Sequence, residues 1–145
     1  MNHDAICARL PHAGRMCLLE RLESWDGDSI TCVATSHRDA DNPLRRGGRL
    51  HAVAGVEYAA QAMALHGNLL SATDTPPAMG YLASVRDLKL DLDDLGTVAE
   101  DLRVTARRLS GDTSGFIYEF EIRAGARALL SGRLAAQLLA LGEVA

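Results

Sequence analysis

The chain lacks a basic excess: 15 lysines and arginines face 19 aspartates and glutamates, a formal net charge of −4. Proteins that neutralise nucleic-acid phosphates need the opposite balance, and no nucleic-acid-binding motif is present. No apolar run approaches the roughly 20 residues needed to span a bilayer. The opening "MNHDAICARLPHAG" carries an acid and no apolar h-region, so it does not read as a secretory signal, and the cytoplasm is the expected compartment. The three cysteines, Cys7, Cys17 and Cys32, are odd in number and have no C-x-x-C spacing, which predicts buried, reduced thiols. No H-x-x-x-H spacing occurs either, so no metal site is expected. Internal repeats and low-complexity linkers are also missing.

What remains is a globular composition. Hydrophobic residues make up 48% and charged residues 23% of 145 residues, enough for one ordinary core and a single domain over residues 1–145. Residues 4–10 predict a short helix closed by Pro11. Residues 15–26 and 29–36 read as two strands around Gly27, a hairpin with "DGD" at its turn. The polar loop 37–50 that follows is long for a compact domain, and such loops often carry function. The stretch "HAVAGVEYAAQAMALHG" then predicts a helix over 52–66, stopped at Gly67 and Asn68. A second loop covers 71–80. Four strands complete the chain: one from Tyr81 with a bulge near Ser84, then 98–109, 115–125 and 127–139. Within the third of these, Phe116, Tyr118, Phe120 and Ile122 share one face.

The predicted order is two strands, one helix of small residues and four more strands, an α+β layer arrangement. A helix that is apolar nearly all round must be covered nearly all round. A curved antiparallel sheet of about six strands wrapped on a long central helix does this.

One acid interrupts that helix. Glu57 follows Val53 and Val56 and precedes Ala59 and Ala60, so its carboxylate needs a partner or a raised pKa. Gln61 stands four residues on, on the same face, where its amide can orient that carboxylate. His37, in the long loop, has a pKa suited to proton transfer near neutrality, and His51 at the helix entry is the other candidate base or a cap. Gly55 permits close approach of a carbonyl to first-turn amides, or else close packing of helix on sheet. Arg45, Arg46 and Arg49 make a basic patch in an acidic chain, with Asn42 and Pro43 shaping the loop.

The set resembles a known family. "VEYAAQAM" is similar to the central helix of the hotdog-fold β-hydroxyacyl-acyl carrier protein dehydratases, "YLASVRDLKL" to their third strand and "LPHAGRMCLLERL" to their first. Residues 36–67 are similar to the divergent dehydratase-like hotdog proteins of aryl-polyene and related polyketide-type clusters. The G-H-F-P motif of the common dehydratases is missing, and Pro43 stands where its histidine would be.

The resemblance implies dehydration of a 3-hydroxyacyl thioester to the 2-enoyl thioester, without metal or redox cofactor, the substrate carried on phosphopantetheine. In that reading His37 is the base and Glu57 handles the departing hydroxyl. Gln61, Gly55, His51, Asn42 and Tyr81 line the substrate site, and Arg45, Arg46 and Arg49 meet the phosphopantetheine phosphate or an acidic carrier protein. It also implies pairing with a second hotdog protein, as homodimer or heterodimer, and an acyl carrier protein or coenzyme A thioester as the other partner. Two alternatives stay open: a hotdog acyl-thioesterase, and a non-catalytic or half-site partner subunit.

Overall fold

The computed structural model describes residues 1–10, 16–71, 80–112 and 114–138, with residues 80, 81 and 138 described by their backbone. A short helix α1 (His3–Arg9) precedes a hairpin of β1 (Arg21–Trp25) and β2 (Ser29–Ala34). The long helix α2 (Gly55–Leu70) follows, and then β3 (Gly80–Leu90), β4 (Leu102–Gly111), β5 (Gly115–Ala124) and β6 (Arg127–Leu138). The six strands form one sheet in the order β1-β2-β4-β5-β6-β3, every pair antiparallel. Helix α2 packs across β2, β4 and β5. This is the α+β architecture expected from the sequence. Among the described residues no helix is long and apolar enough to cross a membrane.

Small residues set the distance between helix and sheet. A methyl group on Gly55 would stand 2.7 Å from Leu130 Cδ1 and 3.1 Å from Ile122 Cδ1. Tyr58, Ala59, Gln61, Ala62, Met63, Leu65, His66 and Asn68 are all buried, so the helix is covered nearly all round. The alternation in β5 is kept, with Tyr118, Phe120 and Ile122 buried. A register shift between Leu82 and Ser84 marks the expected bulge in β3. A second shift follows between Arg86 and Lys89, where Asp87 takes a left-handed φ of 53°.

Three expectations need correction. Gly67 and Asn68 do not stop α2, which runs on to Leu70. The Asn68 side chain is buried and accepts a hydrogen bond from Arg9 at 2.9 Å, so contact with α1 overrides the local stop signal. The first strand is shorter than its apolar pattern: residues 17–20 lie outside β1, although the Glu20 amide still bonds Val33 O at 2.8 Å. The cysteines are not three free thiols. Cys7 and Cys17 are joined in a disulfide, and only Cys32 is free. Contacts between the N-terminus and the first strand bring them together: Leu22 N donates to Met1 O, and His3 Nδ1 lies 2.7 Å from Leu19 O. Burial pushes the Cys32 thiol up to about 12, so it stays protonated.

Candidate active site

The entry to α2 is assembled by a 3₁₀ turn, Ala52–Ala54. His51 caps this turn: its Nδ1 accepts from the Val53 amide at 3.1 Å. The amides of Ala52, Ala54 and Gly55 are bonded to Asp93 O, His51 O, and Ala52 O with Val53 O. The amides of residues 52–55 at the helix entry are therefore partnered. Gly55 itself packs against Leu130 and Ile122.

Glu57 is half-buried on the first turn of α2. Gln61, one turn on and fully buried, donates from Nε2 to Glu57 Oε1 at 3.2 Å. That amide is fixed at its other contacts: Gln61 Nε2 donates to Met16 O at 2.6 Å, and Gln61 Oε1 accepts from Leu18 N at 2.8 Å. A primary amide clamped in this way has one orientation, and so does the donor it offers the carboxylate.

Leu18 links this pair to a second group of polar side chains. Ser36 Oγ donates to Leu18 O at 2.8 Å, and since that hydroxyl has one proton, Tyr58 donates to Ser36 Oγ at 2.8 Å. Asn42 Nδ2 in turn donates to Tyr58 Oη at 3.0 Å and to Ser36 O at 2.9 Å. Asn42 Oδ1 accepts from Leu44 N at 2.8 Å. Burial pushes the Tyr58 hydroxyl above its ordinary pKa, so it remains a neutral donor. Ser36 and Tyr58 gave no sequence signal, being a small polar residue at the end of a predicted strand and an aromatic inside an apolar helix.

His37 lies in the 3₁₀ turn Ser36–Arg38 and is fully buried. Its Nε2 lies 2.9 Å from Glu100 O and 3.1 Å from Val98 O. Carbonyl oxygens only accept, so Nε2 carries the proton and Nδ1 keeps its lone pair. That Nδ1 is buried without a hydrogen-bond partner. Burial pushes the ring below the ordinary histidine pKa, and the bonds to Glu100 and Val98 oppose the shift without reversing it. The neutral ring is thus held with a vacant basic nitrogen. His51 differs: its capping bond takes up the Nδ1 lone pair.

The loop arginines divide. Arg45 donates to Asp39 O, Gly48 O and His37 O at 2.8, 2.9 and 2.9 Å, knitting the loop together. Arg46 and Arg49 flank a turn through Gly47 and Gly48, whose φ values are 60° and 76°. Both stay exposed, although Arg46 bonds Pro43 O and Arg49 approaches Asp94 at 3.7 Å. Tyr81 pairs with Gln137 in the β3–β6 ladder, and its side chain lies outside the described residues.

A cleft of about 430 Å³ opens beside the Ser36–Asn42 group, with His3, Cys17, Leu18, Glu20, Asp39 and Asp41 also in its walls. Glu57 and His37 do not line it. The two are held by different partners, the carboxylate by Gln61 and the imidazole by the 98–100 segment.

Solved structures with this architecture include proteins named as a dehydratase heterocomplex and as thioesterases. The chain is similar to the dehydratase heterocomplex ApeI:P from Xenorhabdus doucetiae, with 24% identity and a TM-score of 0.84, covering 99% of this chain and 94% of that one. It is also similar to a mutant thioesterase from Pseudomonas aeruginosa, with 16% identity, coverage of 82% and 80%, and a TM-score of 0.60. Mouse thioesterase superfamily member 2 gives 16% identity, 82% and 81%, and 0.59. These likenesses establish the hotdog fold. No curated protein matches the sequence. The ApeP-like family, described as ApeP dehydratase, matches residues 5–138, from within α1 to the end of β6. A match of that extent settles the family: the chain belongs to the ApeP-like dehydratases.

Proposed function

We propose that the chain dehydrates a 3-hydroxyacyl thioester to the 2-enoyl thioester, working as one subunit of a hotdog pair. The observation that carries this reading is the Glu57–Gln61 pair, a half-buried carboxylate oriented by an amide that is itself clamped to Met16 and Leu18. His37 supplies the complementary group, a neutral imidazole with a vacant Nδ1. In the reaction His37 takes the proton from C2 and the C2–C3 double bond forms. The C3 hydroxyl leaves as water on receiving a proton from Glu57. The proton on His37 then returns to Glu57 through solvent, which closes the cycle. Neither step calls for a redox cofactor. The acyl group arrives on the phosphopantetheine of an acyl carrier protein or coenzyme A, with Arg46 and Arg49 as its exposed cationic contacts.

Two observations favour a pair over a lone subunit. The cleft beside the Ser36–Asn42 group is lined by neither proposed catalytic group. The edge strand β3 exposes Leu82, Val85 and Leu90 by 38%, 38% and 41%, an apolar edge that soluble proteins cover. The similar ApeI:P structure is a heterocomplex, so a related dehydratase is the proposed partner, and this chain then contributes one half-site.

The test equilibrates the protein with a 3-hydroxyacyl thioester and its enoyl product, alone and with a second hotdog dehydratase. Conjugated-enoyl absorbance that is lost in Glu57→Gln supports the proposal. Release of free thiol instead identifies a thioesterase. Full activity of the pair with Glu57→Gln in place would leave this chain as a non-catalytic partner.

A further inference from the structure

Outside the proposed active site, three side chains with metal-ligand chemistry meet at the N-terminal edge of the fold. The ligand atoms of His3, Cys7 and Cys17 all lie within 4.8 Å of one another. His3 and Cys7 are one turn apart on α1, and Cys17 comes from the segment before β1.

The protonation of His3 gives this cluster its meaning. His3 Nδ1 lies 2.7 Å from the Leu19 carbonyl, which can only accept, so Nδ1 carries the proton. In the neutral ring Nε2 then keeps its lone pair, and Cys7 Sγ lies 3.5 Å from Nε2 and 3.8 Å from Nδ1. A metal-bound histidine commonly donates its other N–H to a backbone carbonyl, fixing the tautomer and the ring orientation. His3 already has that arrangement. In a tetrahedral zinc site with Zn–N of ~2.0–2.1 Å and Zn–S of ~2.3 Å, adjacent nitrogen and sulfur ligands stand about 3.5 Å apart. The observed separation of Nε2 and Cys7 Sγ is 3.5 Å.

We propose that, once the Cys7–Cys17 disulfide is reduced, His3, Cys7 and Cys17 bind a thiophilic divalent cation such as Zn²⁺, with the fourth position open to the adjoining cleft. A thiol reductant supplies two electrons and two protons, breaking the S–S bond, and is itself oxidised to a disulfide. The ion then displaces both thiol protons to solvent and forms two metal–sulfur bonds and one metal–nitrogen bond. The sulfurs part to about 3.8 Å, the ligand spacing of a tetrahedral site. His3 and Cys17 line the cleft together with Glu20, which gives a hydrated ion a route in. The disulfide and the metal complex exclude each other, and the reducing poise of the compartment selects between them. The third cysteine takes no part, because Cys32 is buried in the core.

The test titrates the full chain, reduced with a phosphine, with Cd²⁺, and follows thiolate-to-metal charge-transfer absorbance. Zn²⁺ is then added as competitor, and circular dichroism monitors the fold. The expected result is saturation at about one ion per chain, displacement by Zn²⁺ and no band in the oxidised protein. Cys17→Ser abolishes the band, with Cys7→Ser taking its place if Cys17→Ser does not fold. His3→Gln weakens affinity at least about tenfold, and Cys32→Ala leaves it unchanged. Absence of a saturable band in the folded, reduced protein would overturn the proposal. So would loss of the band in Cys32→Ala, or wild-type affinity in His3→Gln.

Discussion

Two histidines, His37 and His66, are fully buried near opposite ends of α2, and they are held differently. His66 has both ring nitrogens bonded, Nδ1 with the Tyr118 hydroxyl at 2.6 Å and Nε2 with Asp26 O at 2.8 Å. Trp25 and Tyr118 pack edge-on against its ring. His37 places Nε2 on two carbonyls and leaves Nδ1 without a partner. A buried histidine with every site satisfied ties elements together, here the β1–β2 hairpin, α2 and β5. One whose basic nitrogen has no hydrogen-bond partner is not tied at that atom, which sets His37 apart from His66.

The contrast yields predictions in descending order of effect. His37→Gln lowers dehydration by about 10²–10⁴-fold, the usual contribution of a positioned general base. Steady-state rates on the active pair measure it. His66→Ala works in the opposite sense. It leaves the Tyr118 hydroxyl and the Asp26 carbonyl without their partner, costing about 1–3 kcal/mol for each group that water does not reach. Its rate per folded molecule stays at the wild-type level, and urea unfolding checks the stability loss.

Gln61→Leu combines a kinetic effect with a stability effect. Removing the amide takes one hydrogen bond from Glu57 and leaves the buried Leu18 amide unpartnered, at about 1–3 kcal/mol. The expected kinetic signature is a fall in kcat with little change in KM, since Gln61 acts through Glu57.

The pH dependence sharpens the comparison further. His37 has a folded pKa below the ordinary histidine value of about 6.5, so between the two values the folded state binds fewer protons than the unfolded one. Stability from this source is fully present above 6.5 and is lost as pH falls through the folded value. Unfolding midpoints in the acidic range should show that slope in wild type and a shallower one in His37→Gln. The acid limb of kcat/KM should likewise lie below the ordinary histidine value. The smallest expected change is Arg49→Ala. Its contact with Asp94 is 3.7 Å long and its side chain 62% exposed, so stability changes by less than about 1 kcal/mol.

Legibility from the sequence followed the range of the interactions. The hairpin at Gly27, the alternation of β5 and the bulge near Ser84 rest on local periodicity and turn chemistry, and they were readable. The apolar girth of α2 demanded a covering sheet, and Glu57 stood out because it broke that girth. The spacing from Glu57 to Gln61 also gave their hydrogen bond. What could not be read depends on segments far apart in the chain. The Leu18 backbone that clamps Gln61 is 43 residues away, and the carbonyls that fix the His37 tautomer are 61 and 63 residues away. Arg45 looked like a free cation until the loop's own carbonyls surrounded it. Likewise, the pairing of Cys7 with Cys17 needs α1 folded back on the first strand.

In the proposed reaction Nδ1 of His37 takes the C2 proton, whereas His66 only holds the fold. The most direct measurement is deuterium incorporation at C2 of the 3-hydroxyacyl thioester when the active pair hydrates the enoyl thioester in D₂O. His37→Gln and His66→Gln would be compared, each corrected for its folded fraction. The account predicts that His66→Gln incorporates deuterium at the wild-type rate and that His37→Gln loses incorporation. Incorporation that persists in His37→Gln, or that falls equally in both variants, would contradict it.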